Sequence, residues 1–539
     1  MDINNGIKQE IESVYGKISP FELKNKLINL TKEQTKKSAR TLLDAGRGNP
    51  NWTAATPREA FFTFGQFAVL ETRRVWSEQD LAGMPEKKGI ATRLSTYIDN
   101  HHDVPGIELL KKIFDYGITV QGFSPDDWIY ELTDGIIGDN YPSPDRMLTH
   151  IEKVVHDYLI QEMCYSEPPI GKFNLFAVEG ATAAICYIFD SLISNKLLSI
   201  GGKIALMTPI FTPYLEIPLL PRYNFQVINI NATELDPDGK HTWQYPKSEL
   251  DKLCDSTIKA LFLVNPSNPP SVAMKPECIN QLVEIVHKHN PNLMIISDDV
   301  YGTFVDNFRS LLADLPFNSI GVYSFSKYFG VTGWRLGTIA LHENNIFDKL
   351  IRELPFDKIQ ELKQRYEALS THPEDISFID RIVADSRQVA LNHTSGLSTP
   401  QQVQMAFFSL FALLDKANNY KKLTKDICHR RQKLFFNGLG LELPKNPCDA
   451  AYYAQFDILE WANYHYGNEF AEYVQKNYKP VDILFRLAEE SSIVLLSVGG
   501  FHGPEWSVRI SLANLNDESY SKIGEVLHKI LEEYVPAFN

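Results

Sequence analysis

Cysteine is scarce in this sequence, with six residues in 539, and no two of them lie close together. This spacing suits neither a zinc site nor a disulfide framework, and it favours a reducing compartment. Long apolar runs are missing too, since no uninterrupted stretch approaches the ~18 residues of a membrane span. The first residues are polar and partly acidic, unlike a signal peptide. We therefore expect a cytoplasmic protein that does not enter a membrane.

An excess of basic residues is also absent. The chain has 53 Lys and Arg against 67 Asp and Glu, a formal net charge of −14, which argues against general binding to nucleic acids or anionic membranes. No metal site is predicted. A hydrophobic content of 44% and a charged content of 22% are typical of a globular enzyme. The length predicts two lobes or more.

In the middle third, short β-rich runs alternate with amphipathic helical patterns. The predicted strands are 175–178, 203–207, 259–264, 293–297, 321–324 and 336–341. Strands at this spacing, separated by helices, predict a largely parallel sheet that is covered on both faces. Ligands of such sheets bind beyond the carboxyl ends of the strands. The polar motifs of this chain fall at those positions.

The most informative motif runs from Ser324 through Ser326 and Lys327 to Arg335. A lysine with an ordinary pKa of about 10.4 is a poor nucleophile, but burial beside another cation suits it to Schiff-base formation. Two serine hydroxyls and an arginine are good phosphate ligands. A reactive lysine with a phosphate anchor predicts pyridoxal 5′-phosphate (PLP) as cofactor. Taken alone, however, Ser-x-Ser-Lys is more often a surface lysine after a strand.

Two further motifs follow earlier strands. Gly180, Ala181 and Thr182 form a glycine turn at a helix start, where amide N–H groups without intrahelical partners bind phosphate. Phe211 follows the next strand and is placed to stack on a flat ring. Each has an ordinary alternative, because glycine is common at strand–helix junctions and an aromatic residue there is more often core.

Three polar motifs complete the set. Asn268 stands in a doubled Asn-Pro sequence, Asp298 and Tyr301 end a later strand, and Arg509 lies in an alternating strand near the C-terminus. The alternatives are a plain turn, a helix N-cap and an exposed salt bridge. All the motifs follow or occupy predicted strands, and so many independent coincidences in one order are implausible.

This ordered set resembles the fold-type I PLP enzymes, close to the aspartate aminotransferase family, from Gly46 onward. The resemblance implies an α/β fold, with a large domain whose mostly parallel seven-stranded sheet lies between helices and a smaller α+β domain. We expect an N-terminal helical arm with part of the small domain at 1–55 and a helical insertion at 56–140. The large PLP-binding domain is expected at 141–415, with a second helical insertion at 346–395, and the C-terminal small domain at 416–539.

The resemblance also implies a role for each motif. Lys327 would form the Schiff base with PLP, Asp298 would pair with the pyridine nitrogen, and Phe211 would stack on the ring. Asn268 and Tyr301 would bind the ring oxygen O3′. The phosphate would be held by Gly180, Ala181, Thr182, Ser324, Ser326 and Arg335.

Two more roles concern the substrate and a second subunit. Arg509, together with Asn268, is similar to the residues that grip the substrate α-carboxylate. Tyr141, in Asn140-Tyr-Pro-Ser-Pro, is similar to the tyrosine that reaches the phosphate of the neighbouring subunit, which implies at least a homodimer.

Three strings resemble the aspartate 4-decarboxylase (L-aspartate β-decarboxylase) subgroup: 45–51, around Arg47, 265–271, and 392–402. Membership would imply conversion of L-aspartate to L-alanine and CO2 through aldimine, ketimine and enamine intermediates, slow transamination, and dimers assembled into a dodecamer. We expect Arg47 to orient the β-carboxylate loosely. His393 and Thr394 are as consistent with the site as with a structural role, and the proton donor at Cβ is left open.

One departure and two alternatives accompany this prediction. Ser497-Val-Gly-Gly stands where the subgroup often has Pro-Gly-Arg-Gly, so substrate handling is expected to differ. An aspartate or broad-specificity aminotransferase would have the same cofactor-binding residues, but it would form no CO2. A regulator or structural oligomer on the same fold would not respond to amino acids.

Overall fold

The computed structural model describes residues 18–37, 41–237, 239–387, 396–443 and 446–538. His393 and Thr394 lie outside the described residues. Among the described residues, no helix is both long and apolar enough to cross a lipid bilayer.

Helices dominate the part of the chain that precedes the central sheet. The first helix begins at Pro20, where the Ser19 hydroxyl accepts a hydrogen bond from the Glu22 backbone N–H at 3.4 Å. The elements are α1 (Pro20–Lys37), β1 (Leu43–Asp44), α2 (Ala55–Val75), β2 (Ser77–Glu78), β3 (Leu81–Ala82), α3 (Ile90–Asn100), α4 (Ile107–Thr119), α5 (Pro125–Ile137) and α6 (Thr149–Met163).

The central sheet has seven strands within the described residues. They are β4 (Phe173–Val178), β5 (Lys203–Thr208), β6 (Gln226–Asn231), β7 (Ile258–Val264), β8 (Met294–Asp298), β9 (Ser319–Ser324) and β10 (Gly337–His342). Their order is β4-β10-β9-β8-β7-β5-β6, and β10 runs antiparallel to both of its neighbours. The other pairings are parallel. The mostly parallel seven-stranded sheet is confirmed, with β6 added to the six predicted strands.

Apolar residues on both faces explain why the sheet is buried. Along β5 and β7, successive side chains enter two different cores, so that Ile204 and Phe262 face one side while Ala205 and Leu263 face the other. Alternation of this kind follows from the two-residue period of a strand. The helices between the strands are α7 (Ala181–Ser194), α8 (Pro213–Glu216), α9 (Lys247–Leu250), α10 (Pro276–Lys288) and α11 (Leu311–Asp314).

The predicted charged insertion is helical where it is described. It contains α12 (Ile346–Arg352), α13 (Phe356–Tyr366) and α14 (Phe378–Ser386). Asp385 fixes it to the large core, because its buried carboxylate accepts hydrogen bonds from Ser191 Oγ at 2.7 Å, Asn195 Nδ2 at 3.0 Å, Arg365 Nη2 at 2.8 Å and the Tyr366 hydroxyl at 2.9 Å.

The C-terminal part contains a three-stranded antiparallel sheet and its own apolar core. Its elements are α15 (Thr399–Leu414), α16 (Asn419–Gly438), β11 (Tyr453–Asp457), α17 (Ile458–Tyr466), α18 (Asn468–Asn477), α19 (Pro480–Ser491), β12 (Ile493–Val494), β13 (Leu496–Ser497), β14 (Ser507–Ser511) and α20 (Asp517–Glu532). The chain's beginning joins this part, since β1 pairs with β12 and Leu23 and Leu27 of α1 enter the same core. The exact domain boundaries stay a prediction.

We expect Asp385→Ala to lower the free energy of unfolding by about 3–5 kcal/mol, because removing this buried carboxylate leaves its buried hydrogen-bond donors and Arg365 without their acceptor. Thermal denaturation of the cofactor-free protein measures the effect. Glu361→Ala is the control: Glu361 lies in the same insertion and forms only exposed ion pairs, with Lys196 and Lys358, so its loss should change stability by no more than about 0.5 kcal/mol. Equal losses in the two variants would contradict the role of Asp385.

Candidate active site

Most of the predicted site residues meet at one edge of the central sheet. The carboxyl ends of the parallel strands β4, β5, β7, β8 and β9 lie at this edge, and antiparallel β10 begins there. A cavity of about 320 Å³ opens beyond it toward β11 and β14. The predicted residues in its lining are Ala181, Thr182, Phe211, Asn268, Asp298, Tyr301, Ser324, Ser326, Lys327, Arg335 and Arg509.

Lys327 lies just beyond β9 with its amine in the cavity. Its Nζ donates a hydrogen bond to the carbonyl oxygen of Gly48 at 3.2 Å. Burial, aided by the guanidinium groups of Arg509 and Arg335, lowers the pKa of the lysine below its ordinary value. A lowered pKa leaves more of the neutral amine, which is the nucleophilic form.

Asp298 occupies the floor of the cavity at the end of β8. Burial raises the pKa of its carboxyl group to about 7, although two hydrogen bonds favour the charged form and oppose this shift. These come from the Val300 backbone N–H and the Tyr214 hydroxyl, both at 3.3 Å. A carboxyl group held this way is well suited to a cationic partner, which would restore its ionised form.

The other end of the cavity has the donors that a phosphate requires. Gly180 adopts a φ of 87° and leads into α7, whose first residues Ala181 and Thr182 line the cavity. A Cβ at Gly180 would lie 2.5 Å from Arg335 Nη2, so only glycine lets the guanidinium approach the turn. The Ser324 hydroxyl donates to Ser326 Oγ at 3.0 Å beside it. This set fits the phosphate of PLP.

Arg509 is the buried cation on the opposite side, with 1% of its surface exposed. Its Nη1 donates to Asn268 Oδ1 at 2.9 Å and its Nη2 to the Gly46 carbonyl at 3.0 Å, while Nε has no hydrogen-bond partner. Within the described part of the chain, no carboxylate forms an ion pair with it. A buried guanidinium that lacks an anion is unfavourable, and a carboxylate substrate would supply one.

Seven lining residues were not predicted from sequence: Val264, Val300 and Thr332 within the strand-end motifs, and Phe21, Gly48, Asn49 and Tyr453 from other segments. Phe21 comes from α1 and packs edge-on against Phe211, with ring centroids 6.2 Å apart. Tyr453 lies on β11, two residues from Gln455, which pairs with Arg509 across the small sheet. Within Gly46–Asn49, only Arg47 is predicted as a site residue. No local signal marks the four positions from other segments, since only strand pairing and domain packing bring them to the cavity.

Three predicted residues do not line the cavity: Gly180, which lies beside Arg335 at its edge, Tyr141 and Arg47. Tyr141 is 82% exposed, which leaves its predicted contact with a second subunit untested. The Arg47 side chain is 62% exposed and pairs with Asp44, with Nε 3.3 Å from Oδ2. In the unusual 497–500 segment, a Cβ at Gly500 would lie 2.3 Å from Pro20 Cγ, so this glycine lets α1 pack against the loop.

Comparison with known proteins agrees with this geometry. The aminotransferase class I and II family model matches residues 180–527. The chain is 46% identical over 518 residues to a bifunctional aspartate aminotransferase and L-aspartate beta-decarboxylase of Pseudomonas sp., and the match covers 96% of each chain.

Solved structures show the same fold at low sequence identity. An aspartate aminotransferase from Thermus thermophilus with maleate superposes with a TM-score of 0.58 and 15% identity, covering 95% of this chain and 96% of that one. Bna3p, a putative kynurenine aminotransferase from Saccharomyces cerevisiae, has a TM-score of 0.58 and 17% identity, and 98% of each chain is covered. The predicted fold class is confirmed.

We expect Gly48→Ala to weaken PLP binding by roughly tenfold or more, since overpacking costs about 1–3 kcal/mol. The added methyl group would lie 2.8 Å from the Tyr453 hydroxyl oxygen and 3.1 Å from Lys327 Nζ. Equilibrium titration of the cofactor-free protein with PLP measures the change. Gly333→Ala is the matched control because nothing lies within 4 Å of its added Cβ; equal affinities for the two variants would refute the steric argument.

The raised pKa of Asp298 predicts a pH effect on the cofactor-free protein. The folded chain keeps this proton up to about pH 7, whereas the unfolded chain releases it near 3.8. The folded state therefore binds more protons between these values, and ionisation of Asp298 reduces stability as the pH rises. Asp298→Asn should raise the unfolding midpoint relative to the unchanged protein at pH 8, and the difference should shrink toward pH 4. A pH-independent difference would show that this titration does not contribute.

Proposed function

The chain belongs to the aminotransferase class I and II family, and from that premise we propose that it is a PLP-dependent aspartate 4-decarboxylase. It converts L-aspartate to L-alanine and CO2, and it transaminates aspartate as a secondary activity. The observation that carries this choice is the near-full-length likeness to the Pseudomonas protein, whose name states both activities. The cavity supports it with a reactive lysine, a phosphate cradle and a buried guanidinium that forms no ion pair with the described residues.

The residues of the cavity divide into those that hold the cofactor and those that hold the substrate. When bound through Lys327, PLP supplies an electron sink that stabilises negative charge on the substrate carbons. Asp298 would hold the proton on the ring nitrogen, and Asn268 and Tyr301 would hold the ring oxygen. Phe211 would cover the ring. The phosphate would be held by Gly180, Ala181, Thr182, Ser324, Ser326 and Arg335.

Arg509 and Lys327 then determine which bonds of the substrate react. Arg509 binds the α-carboxylate through a planar fork of donors, and the bound carboxylate is kept from leaving. The Lys327 amine, whose pKa is lowered by burial, takes the proton from Cα and returns it. Asn268 orients the Arg509 guanidinium, because its Oδ1 accepts a hydrogen bond from Arg509 Nη1.

The β-carboxylate has to leave, so it must be held weakly. A tight clamp would stabilise the substrate more than the transition state and would slow the loss of CO2. Arg47 is suited to a loose contact, because its side chain is exposed and already shares the Asp44 carboxylate. It lies next to Gly48, which lines the cavity.

We also propose that subunits assemble, as a dimer at least, and that the dimers assemble further into a dodecamer. Two features support assembly. The exposed Tyr141 is available to a second subunit. Several apolar side chains of α2 and the β2–β3 segment are exposed, and a buried interface would cover them. They are Phe62, Val69, Leu70, Trp76, Leu81 and Met84.

Anaerobic incubation of the purified protein with L-aspartate and PLP tests the reaction. We expect CO2 and alanine in equal amounts without an added keto acid, because decarboxylation regenerates the cofactor. Lys327→Ala should abolish both products, and borohydride reduction followed by peptide mapping should place the pyridoxyl label on Lys327. Oxaloacetate without CO2 would identify an aminotransferase instead, and a label elsewhere would refute the assignment of Lys327.

Arg47→Ala tests the loose contact with the β-carboxylate. We expect the ratio of alanine formed to amino group transferred to change, since only decarboxylation depends on how that carboxylate is held. The two products are measured in the same reaction mixture. An unchanged ratio would remove Arg47 from this role.

A further inference from the structure

Loss of CO2 from the β-carbon requires that a proton be delivered to Cβ. Simple transamination has no such requirement. The electron pair of the broken C–C bond stays with Cβ, and a new C–H bond has to form there. Each turnover of L-aspartate to L-alanine and CO2 takes up one proton. The inference below rests on the proposed function, since it concerns the group that delivers this proton.

Few side chains in the cavity carry an ionisable proton. Besides two arginines, which do not give up their protons, the described residues of its lining include four with a titratable proton: Asp298, Tyr301, Lys327 and Tyr453. Asp298 is committed to the ring nitrogen, Tyr301 to the ring oxygen, and Lys327 to Cα. The proposed function assigns no role to Tyr453.

Tyr453 is placed at the substrate side of the cavity. The guanidinium carbon of Arg509 lies 4.2 Å from its ring centroid, so the ring packs against the group that would bind the α-carboxylate. Its hydroxyl oxygen and Lys327 Nζ both lie within 3.1 Å of one point, the position of a Cβ added to Gly48. The hydroxyl therefore faces the space between the substrate anchor and the reactive amine.

We propose that Tyr453 is a further catalytic residue, whose hydroxyl gives its proton to Cβ as the carbon dioxide leaves. The electron pair released from the C–C bond forms the new C–H bond, and the electrons of the O–H bond remain on the tyrosine oxygen. Water that enters when the product leaves restores the proton, which accounts for the one proton consumed per turnover.

The surroundings of Tyr453 stabilise the phenolate that this step creates. The hydroxyl oxygen lies 2.9 Å from that of Tyr301, and this contact holds the Tyr453 hydroxyl in the cavity while the Tyr301 proton is given to the ring oxygen. The positive charge of Arg509 lies over the ring. In a site closed to water, such preorganised groups stabilise developing charge more strongly than solvent does.

Tyr453→Phe separates the two activities. Alanine formation should fall by roughly 100-fold or more, the usual contribution of a general acid, because Cβ loses its proton donor. Conversion of aspartate to oxaloacetate in a single turnover should change far less, since it uses only Lys327. The dissociation constant for succinate, followed by the absorbance of the bound cofactor, should stay nearly unchanged, which shows that Arg509 and the cavity are intact.

Tyr158→Phe is the matched control, because it removes a hydroxyl from another buried tyrosine pair. Tyr158 lies 2.6 Å from the Tyr323 hydroxyl and does not line the cavity, so its loss should leave the product ratio as it was. Equal losses of alanine and oxaloacetate in Tyr453→Phe, or no loss of alanine, would overturn the proposal. Absence of CO2 from the unchanged enzyme would instead refute the proposed function itself.

A second variant covers the case in which Tyr453→Phe does not fold. Replacing Tyr453 with 3-fluorotyrosine keeps the ring and hydroxyl and lowers the pKa of the phenol. The alkaline limb of the pH profile for alanine formation should move to lower pH, because the phenolate cannot donate a proton. A limb that stays in place would rule out Tyr453 as the donor.

Discussion

The parallel direction of the central strands is the constraint on which the site depends. Because six of the seven strands run the same way, the residues that follow β4, β5, β7, β8 and β9 emerge at one edge. Positions between 181 and 327 therefore meet in a single cavity. Antiparallel β10 begins at that edge, so Arg335 joins the same group.

Because these residues meet in one cavity, their charges act on one another. Lys327, Arg335 and Arg509 bring cationic side chains to it, whereas Asp298 is the carboxyl group among the described lining residues. Burial pushes the pKa of Lys327 down and that of Asp298 up. The side chains of the cavity thus carry an excess of positive charge, which a phosphate together with a substrate carboxylate would neutralise. This is a physical reason for one site to bind both.

The small sheet and the N-terminal helix complete the cavity from the other side. Arg509 on β14 and Tyr453 on β11 point into it from the C-terminal part, and Phe21 of α1 closes the space beside Phe211. The contacts of Phe21 with Arg509 and Phe501 join segments more than 400 residues apart. They also explain the glycine at 500, where the close approach of Pro20 leaves no room for a side chain.

Sequence patterns alone identified the strands that end at the site and the residues that follow them, from the glycine turn at 180 to Lys327 and Arg335. Such motifs are local, because a strand, its turn and the next helix are specified by neighbouring residues. The resemblance to a known family added the roles. β6 was missed, and Phe21, Gly48 and Tyr453 were not selected, since their importance arises from contacts with distant segments. Tertiary structure alone decided that Tyr453 faces Lys327 and that Arg47 points outward to Asp44, because strand pairing and domain packing are non-local and leave no mark on any short stretch of the chain.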